Sequence, residues 1–271
     1  MSLTEKNDNS PSIDSRNEFL LILKFIKMKK AVLHIPHSST YFPNYLGFVV
    51  DQKTLDNETL ILTDHFTDEL FITPNSIPVT APFSRVFCDV ERFRKDCDEV
   101  MSEKGMGATY TKLENGELMR VLTTSQREKI LQDYYDVHHK KLTQEVENQL
   151  AIHQQAIIID CHSFPETPHP RALDKTANRP DICIGADSFH TPKDLLERSI
   201  EYFKSAGLSV KVNSPYKGTI VPLQYYNIDR RVYSIMIEVN RKLYLTDDFE
   251  KSDLYFKTFN ICQKYFDFVN I

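Results

Sequence analysis

Short apolar runs alternate with longer amphipathic stretches from Ala31 onward, and that alternation leaves few architectures open. Ala31–Ile35, ending at Pro36, reads as a buried strand. Ala156–Asp160, Asp181–Gly185, Leu208–Val212 and Tyr233–Val239 read the same way. Val79 and then Arg85–Val90 read as strand-like segments around a loop at Pro82. Leu55, Thr59, Leu62, Phe66 and Leu70 recur at helical spacing and predict a helix over Leu55–Phe71. Ser125–Ile152 is the longest predicted helix, capped by Thr124 or Ser125, with Ile130, Tyr134, Val137, Leu142 and Val146 as its apolar stripe. Pro192–Ala206 follows, with Gly207 just past its end, and Phe249–Phe268 closes the chain as a helix. Strand–helix alternation of this kind predicts an α/β fold, a single domain with a mostly parallel mixed sheet and helices on both faces.

The first residues are rich in Ser, Asn, Asp and Glu, and Met28 stands just before the first strand. Residues 1–27 therefore read as a partly disordered N-terminal extension, and 28–271 as the domain; an ordinary helix over Glu18–Lys27 is the alternative. The run Phe19–Ile26 is too short to span a bilayer and has no cleavage site behind it. With 33 Lys+Arg against 38 Asp+Glu, the net charge is −5. That balance argues against general binding of nucleic acid or anionic membrane. The five cysteines are scattered and contain no CxxC pair, which suggests neither a zinc knuckle nor a disulfide framework and fits a reducing cytoplasm. The sequence does not indicate an oligomeric state.

In open α/β sheets the chemistry sits at the carboxyl ends of strands. Four such ends carry polar residues of catalytic type: Pro36-His37-Ser38-Ser39, Asp89-Val90-Glu91-Arg92, Asp160-Cys161-His162-Ser163 and Glu238-Val239-Asn240-Arg241. Imidazoles and carboxylates converging on one cleft could hold zinc with an open position, and an unligated carboxylate nearby could act as general base. Each residue also has a plainer reading. A histidine at a strand end can be a hydrogen-bonding loop residue. Glu238, inside the apolar run SIMIEV, can pair with Arg241 or Arg92. Asp160 can accept backbone N–H groups or orient a ligand. No GxSxG elbow, P-loop or dinucleotide motif is present among only 7 glycines.

At these residues the sequence resembles the N-formylglutamate amidohydrolase family, whose fold is similar to that of the zinc-dependent carboxypeptidases, a phosphorylase/hydrolase-like, zinc-exopeptidase-like architecture. The resemblance runs in order through HIPHSSTYFP at 34–43, TDHFTDELF at 63–71, FSRVFCDVERF at 83–93 and YYDVHHKKL at 134–142. It continues through DCHSFP at 160–165, RPDICIGAD at 179–187, NSPYKGTIV at 213–221 and IEVNRKLY at 237–244. The family's two aspartates fall on Asp64 and Asp68, and its helix histidine on His139.

The resemblance implies zinc-assisted hydrolysis of an N-acyl amino acid, with one zinc per chain held by His37, Asp64 and His162. It implies Glu238 as the general base, and Arg92, with Arg85, as the site for the substrate's carboxylate. Ser163, Lys217 and His139 would orient the substrate or stabilise the oxyanion. Two departures stand out: Glu91 where the family often has Asn, and Gln224 where it often has His. A negative charge beside Arg92 would weaken recognition of a doubly acidic substrate such as N-formylglutamate. Rival readings are a carboxypeptidase or other deacylase of the same fold, a metal- or ligand-binding relative without catalysis, and a thiol hydrolase using Cys161.

Overall fold

The computed structural model describes residues 30–269, so the extension 1–27 and the alternative helix Glu18–Lys27 lie outside the described residues. A six-stranded sheet forms the centre, in the order β2-β1-β3-β6-β4-β5. Its strands are β1 (Ala31–Ile35), β2 (Ser76–Thr80), β3 (Ala156–Phe164), β4 (Ile182–Gly185), β5 (Val210–Val212) and β6 (Val232–Asn240). β1 runs parallel to both β2 and β3, and β3 parallel to β6. β4 is antiparallel to β6 and parallel to β5, so the sheet is mixed.

Alternation along the long central strands decides what each face does. On one face Leu33, Ile35, Ile157, Ile159, Cys161, Ile182, Ile184, Ile235 and Ile237 form an apolar core. It is closed by α2 (Thr67–Phe71), α5 (Lys193–Ser205) and α6 (Tyr255–Val269). The other face is apolar only at the beginnings of its strands. There Val32, Ala156, Ile158 and Val232 meet Leu142, Val146 and Leu150 of α4 (Asp136–His153). Further along, the same face carries His34, Asp160, His162 and Glu238. A second cluster, from Leu55 of α1 (Gln52–Leu62) through Phe83, Phe87 and Tyr110 to Ile130 of α3 (Thr124–Ile130), builds the wall beside those residues.

Several elements differ from the sequence expectations, each for a local reason. The helix expected over Leu55–Phe71 is broken into α1 and α2, because Asp64 N donates to the His37 carbonyl at 2.9 Å and Phe66 takes a left-handed conformation at φ 59°. Arg85–Val90 is not a strand; Phe87 N and Cys88 N both donate to the Ser84 carbonyl and wind the segment into turns. The long helix is capped by neither Thr124 nor Ser125. Thr123 caps it in a reciprocal capping box with Gln126. A π turn at Leu131–Tyr135 then joins α3 to α4. One extra residue in such a turn rotates the helix beyond it by ~100°. Val137, expected in the apolar stripe, is consequently 59% exposed, and His138 is buried in its place. The last helix begins at Tyr255, after a left-handed Phe249. Gly185 lets the 213–221 segment lie against β4, where a Cβ would collide with the Gly218 carbonyl oxygen. Among the described residues no helix is long and apolar enough to cross a membrane.

Candidate metal centre

Three segments bring His37, Asp64 and His162 together: the loop after β1, the break between α1 and α2, and the end of β3. All three are buried, and one ligand atom from each lies within 4.8 Å of the others. His162 Nδ1 stands 3.2 Å and His37 Nδ1 3.5 Å from Asp64 Oδ2. The other ring nitrogens face away, toward carboxylates. His37 Nε2 lies 2.9 Å from Asp89 Oδ1, and His162 Nε2 lies 2.9 Å from Asp160 Oδ1 and 2.9 Å from Glu91 Oε1. An ionised carboxylate only accepts hydrogen bonds, so both Nε2 atoms carry protons and both Nδ1 atoms point into the shared space. His37 Nδ1 is buried there without a hydrogen-bond partner.

The supports are themselves held. Asp89 takes Arg85 Nη2 at 3.0 Å and the Tyr110 hydroxyl at 2.7 Å. Asp64 takes Arg241 Nη2 at 3.0 Å on its other oxygen, and Arg241 Nη1 donates to the Ile61 carbonyl at 2.8 Å. Asp160 Oδ1 also takes His34 Nδ1 at 2.7 Å, and His34 Nε2 meets His138 Nε2 at 3.0 Å. Burial alone would raise the Asp64 carboxyl, but the hydrogen bond with His162, the neighbouring His37 and the charge of Arg241 hold it well below the usual range. Burial would likewise lower the His162 imidazole; Glu91, Asp160 and Asp64 outweigh it and push it well above its ordinary value. A cluster this rich in carboxylate therefore favours a positive charge between its imidazoles. A proton on His162 Nδ1 supplies one, and a divalent cation would supply another in the same position. Two imidazoles and one carboxylate suit zinc with an open coordination position.

Glu238 lies on β6 in register with His162 of β3. Neither ion pair considered for it forms: Arg241 is bound to Asp64, and Arg92 lies toward Asp89 at 3.6 Å. Glu238 Oε2 is buried without a hydrogen-bond partner. Burial, reinforced by the charges of Asp64, Glu91 and Asp160 against that of His162, pushes its carboxyl up to about 8.

The remaining expected residues are dispersed. Arg92 is half-buried at the rim, with its Nε unpartnered. Arg85 is already engaged by Asp89 and Tyr110. Ser163 alternates to the other side of β3 from His162 and accepts from Arg241 Nε at 3.3 Å. His139 Nε2 lies 2.7 Å from the Val90 carbonyl, and burial lowers its imidazole to about 4. Lys217 is exposed on the 213–221 segment. Asp68 borders a surface hollow with Glu69, Ile72 and Phe259. Cys161 points into the apolar core, and burial drives its thiol well above the ordinary range, which removes the thiol nucleophile. Sequence reasoning missed His34, His138 and the support role of Arg241. His34 sits inside an apolar run, and only its register opposite Asp160 could have marked it.

The fold is shared with solved structures. One is the crystal structure of an N-formylglutamate amidohydrolase from Ralstonia eutropha JMP134, with a TM-score of 0.75 and 21% identity over 90% of this chain and 95% of that one. Another is a gene product from Agrobacterium tumefaciens, with a TM-score of 0.62 and 18% identity over 90% of this chain and 91% of that one. No curated protein matches the chain. The sequence model of the N-formylglutamate amidohydrolase family matches residues 29–245, a span that contains every residue of the centre just described. The chain belongs to the N-formylglutamate amidohydrolase family.

Proposed function

We propose that the protein is a zinc-dependent hydrolase of N-acyl amino acids, breaking a linear amide bond to release a small carboxylic acid and a free amino acid. The observation that carries this reading is the pairing of two features that meet where β3 and β6 lie side by side. His37 Nδ1, Asp64 and His162 Nδ1 converge on one buried space, and Glu238, in register with His162, presents a buried oxygen with no partner. A protein that only bound a ligand would gain nothing from burying such a carboxylate.

His37, Asp64 and His162 would hold the ion. Zinc in such a site supplies Lewis acidity toward the acyl carbonyl and lowers the pKa of water toward about 7. Asp89 and Asp160 fix the tautomers of the two imidazoles from behind. Arg241 keeps one Asp64 oxygen occupied, so that Oδ2 faces the histidines. Glu238 takes the proton of the attacking water and passes it to the leaving nitrogen as the C–N bond breaks. Arg92, half-buried at the rim and held toward Asp89 only at 3.6 Å, receives the substrate's carboxylate and sets the carbonyl in register. Arg85, Ser163 and His139 act behind this surface, by holding Asp89, Arg241 and the Val90 carbonyl in place.

The test is amino-acid release from a panel of N-acyl amino acids by wild type and Glu238→Gln, each supplied with zinc. Turnover should fall by about 10²–10⁴ in the variant, the range for loss of a general base, while its zinc content stays the same. Unchanged turnover would remove Glu238 from the chemistry.

A further inference from the structure

The charges at the rim are unequally committed. Arg85 is spent on Asp89 and Tyr110, and Arg241 on Asp64, Ser163 and the Ile61 carbonyl. Asp160 is held between His34 and His162. Two adjacent charged residues stay partly exposed beside the centre, Glu91 and Arg92, each with a side chain 23% exposed. Their turn is clamped: Glu91 N donates to Asp89 Oδ1 at 3.0 Å, and the Tyr135 hydroxyl donates to the Arg92 carbonyl at 2.8 Å. Arg92 Nε is buried and faces Asp89 Oδ2 at 3.6 Å without a hydrogen bond. Glu91 reaches inward, with Oε1 2.9 Å from His162 Nε2 and Oε2 3.9 Å from His37 Nδ1. The approach to the centre thus offers the half-buried Arg92 guanidinium, held only loosely toward Asp89 at 3.6 Å, and, next to it, one fixed carboxylate. A ligand's first carboxylate has a partner there. A second one, carried on its side chain, meets Glu91 in a half-buried setting where like charges are poorly screened.

Resting on the amide-hydrolase reading above, we infer that Glu91 and Arg92 select ligands with a single carboxylate, N-acyl derivatives of neutral or basic amino acids, over ligands with two. Glu91 acts by repelling the second carboxylate and by accepting from a donor in its place.

N-formylglutamine and N-formylglutamate differ by that one charge at nearly constant shape. Wild type should use the glutamine compound at least tenfold better in kcat/KM. Glu91→Gln should narrow the ratio at least fivefold, mainly through better use of the glutamate compound. Equal use of the two, a preference for the glutamate compound, or a ratio that Glu91→Gln leaves unchanged would overturn the inference. Calorimetric titration of both compounds into zinc-supplied Glu238→Gln protein reads the same discrimination without turnover. Tighter binding of the glutamine compound there, with no hydrolysis by wild type, would keep the selectivity and discard the hydrolase reading. Failure of both compounds to bind at millimolar concentration would discard the selectivity.

Discussion

Glu238 is the side chain in which burial and chemistry are most tightly joined. Burial pushes its carboxyl up from an ordinary value of 4.5 to about 8. A carboxyl held protonated by the fold stabilises the folded state fully below its unfolded value, and that contribution is lost as pH rises through the folded value. Metal-free wild type should therefore lose thermal stability between pH 5 and 8 relative to Glu238→Gln, with the variant melting several degrees higher at the alkaline end of that window. Parallel melting curves across pH would contradict the account. His37 and His162 were legible because each follows an apolar run and breaks its pattern. His34 was not legible: an imidazole inside AVLHI reads as a core position until β3 is set beside it with Asp160 in register. Arg241 was read as a partner for Glu238, because nothing in one dimension brings residue 241 to residue 64.

The elements that shape the centre are the ones in which helical periodicity gives way. The run from Leu55 to Phe71 keeps helical spacing throughout, yet the chain leaves the helix over residues 63–66 and delivers Asp64 to the loop after β1. Apolar periodicity does not register a backbone bond from Asp64 N to the His37 carbonyl. The π turn hides in the same way. Beyond it the stripe changes phase, so that Leu142 and Val146 face the sheet while Val137 does not. Leu142 is fully buried between Val32 of β1 and Val79 of β2. Leu142→Ala should cost about 2–5 kcal/mol, as truncations of buried leucine do. Urea unfolding monitored by circular dichroism would measure it. A loss under about 1 kcal/mol would mean that α4 does not pack on β1 and β2 through this residue.

Across the whole molecule, the fold class was open to reading because most strands announce themselves by composition, β2 being read only at Val79, while strand order and the reversal of β4 are tertiary facts. The sheet's two faces divide the labour. One is apolar throughout its core and supplies stability. The other turns polar toward the strand ends, where His37, Asp64, His162 and Glu238 gather from segments distant in sequence. An ion bridging those segments would bind the folded chain and not the unfolded one. Zinc at a hundredfold excess over its Kd should then add about 2.7 kcal/mol. For a domain of this size that is a rise in Tm of roughly 5–10 °C, reversed by a chelator. A melting temperature indifferent to zinc would argue against a centre that ties the three segments together.

The most direct test of the central claim is zinc content by elemental analysis, on protein loaded with zinc and then freed of excess, for wild type, His37→Ala and His162→Ala. The account predicts about one zinc per wild-type chain and substoichiometric zinc in both variants, with folding verified by circular dichroism. Wild type that retains no zinc, or folded variants that retain it fully, would contradict the assignment of His37, Asp64 and His162 as a metal centre.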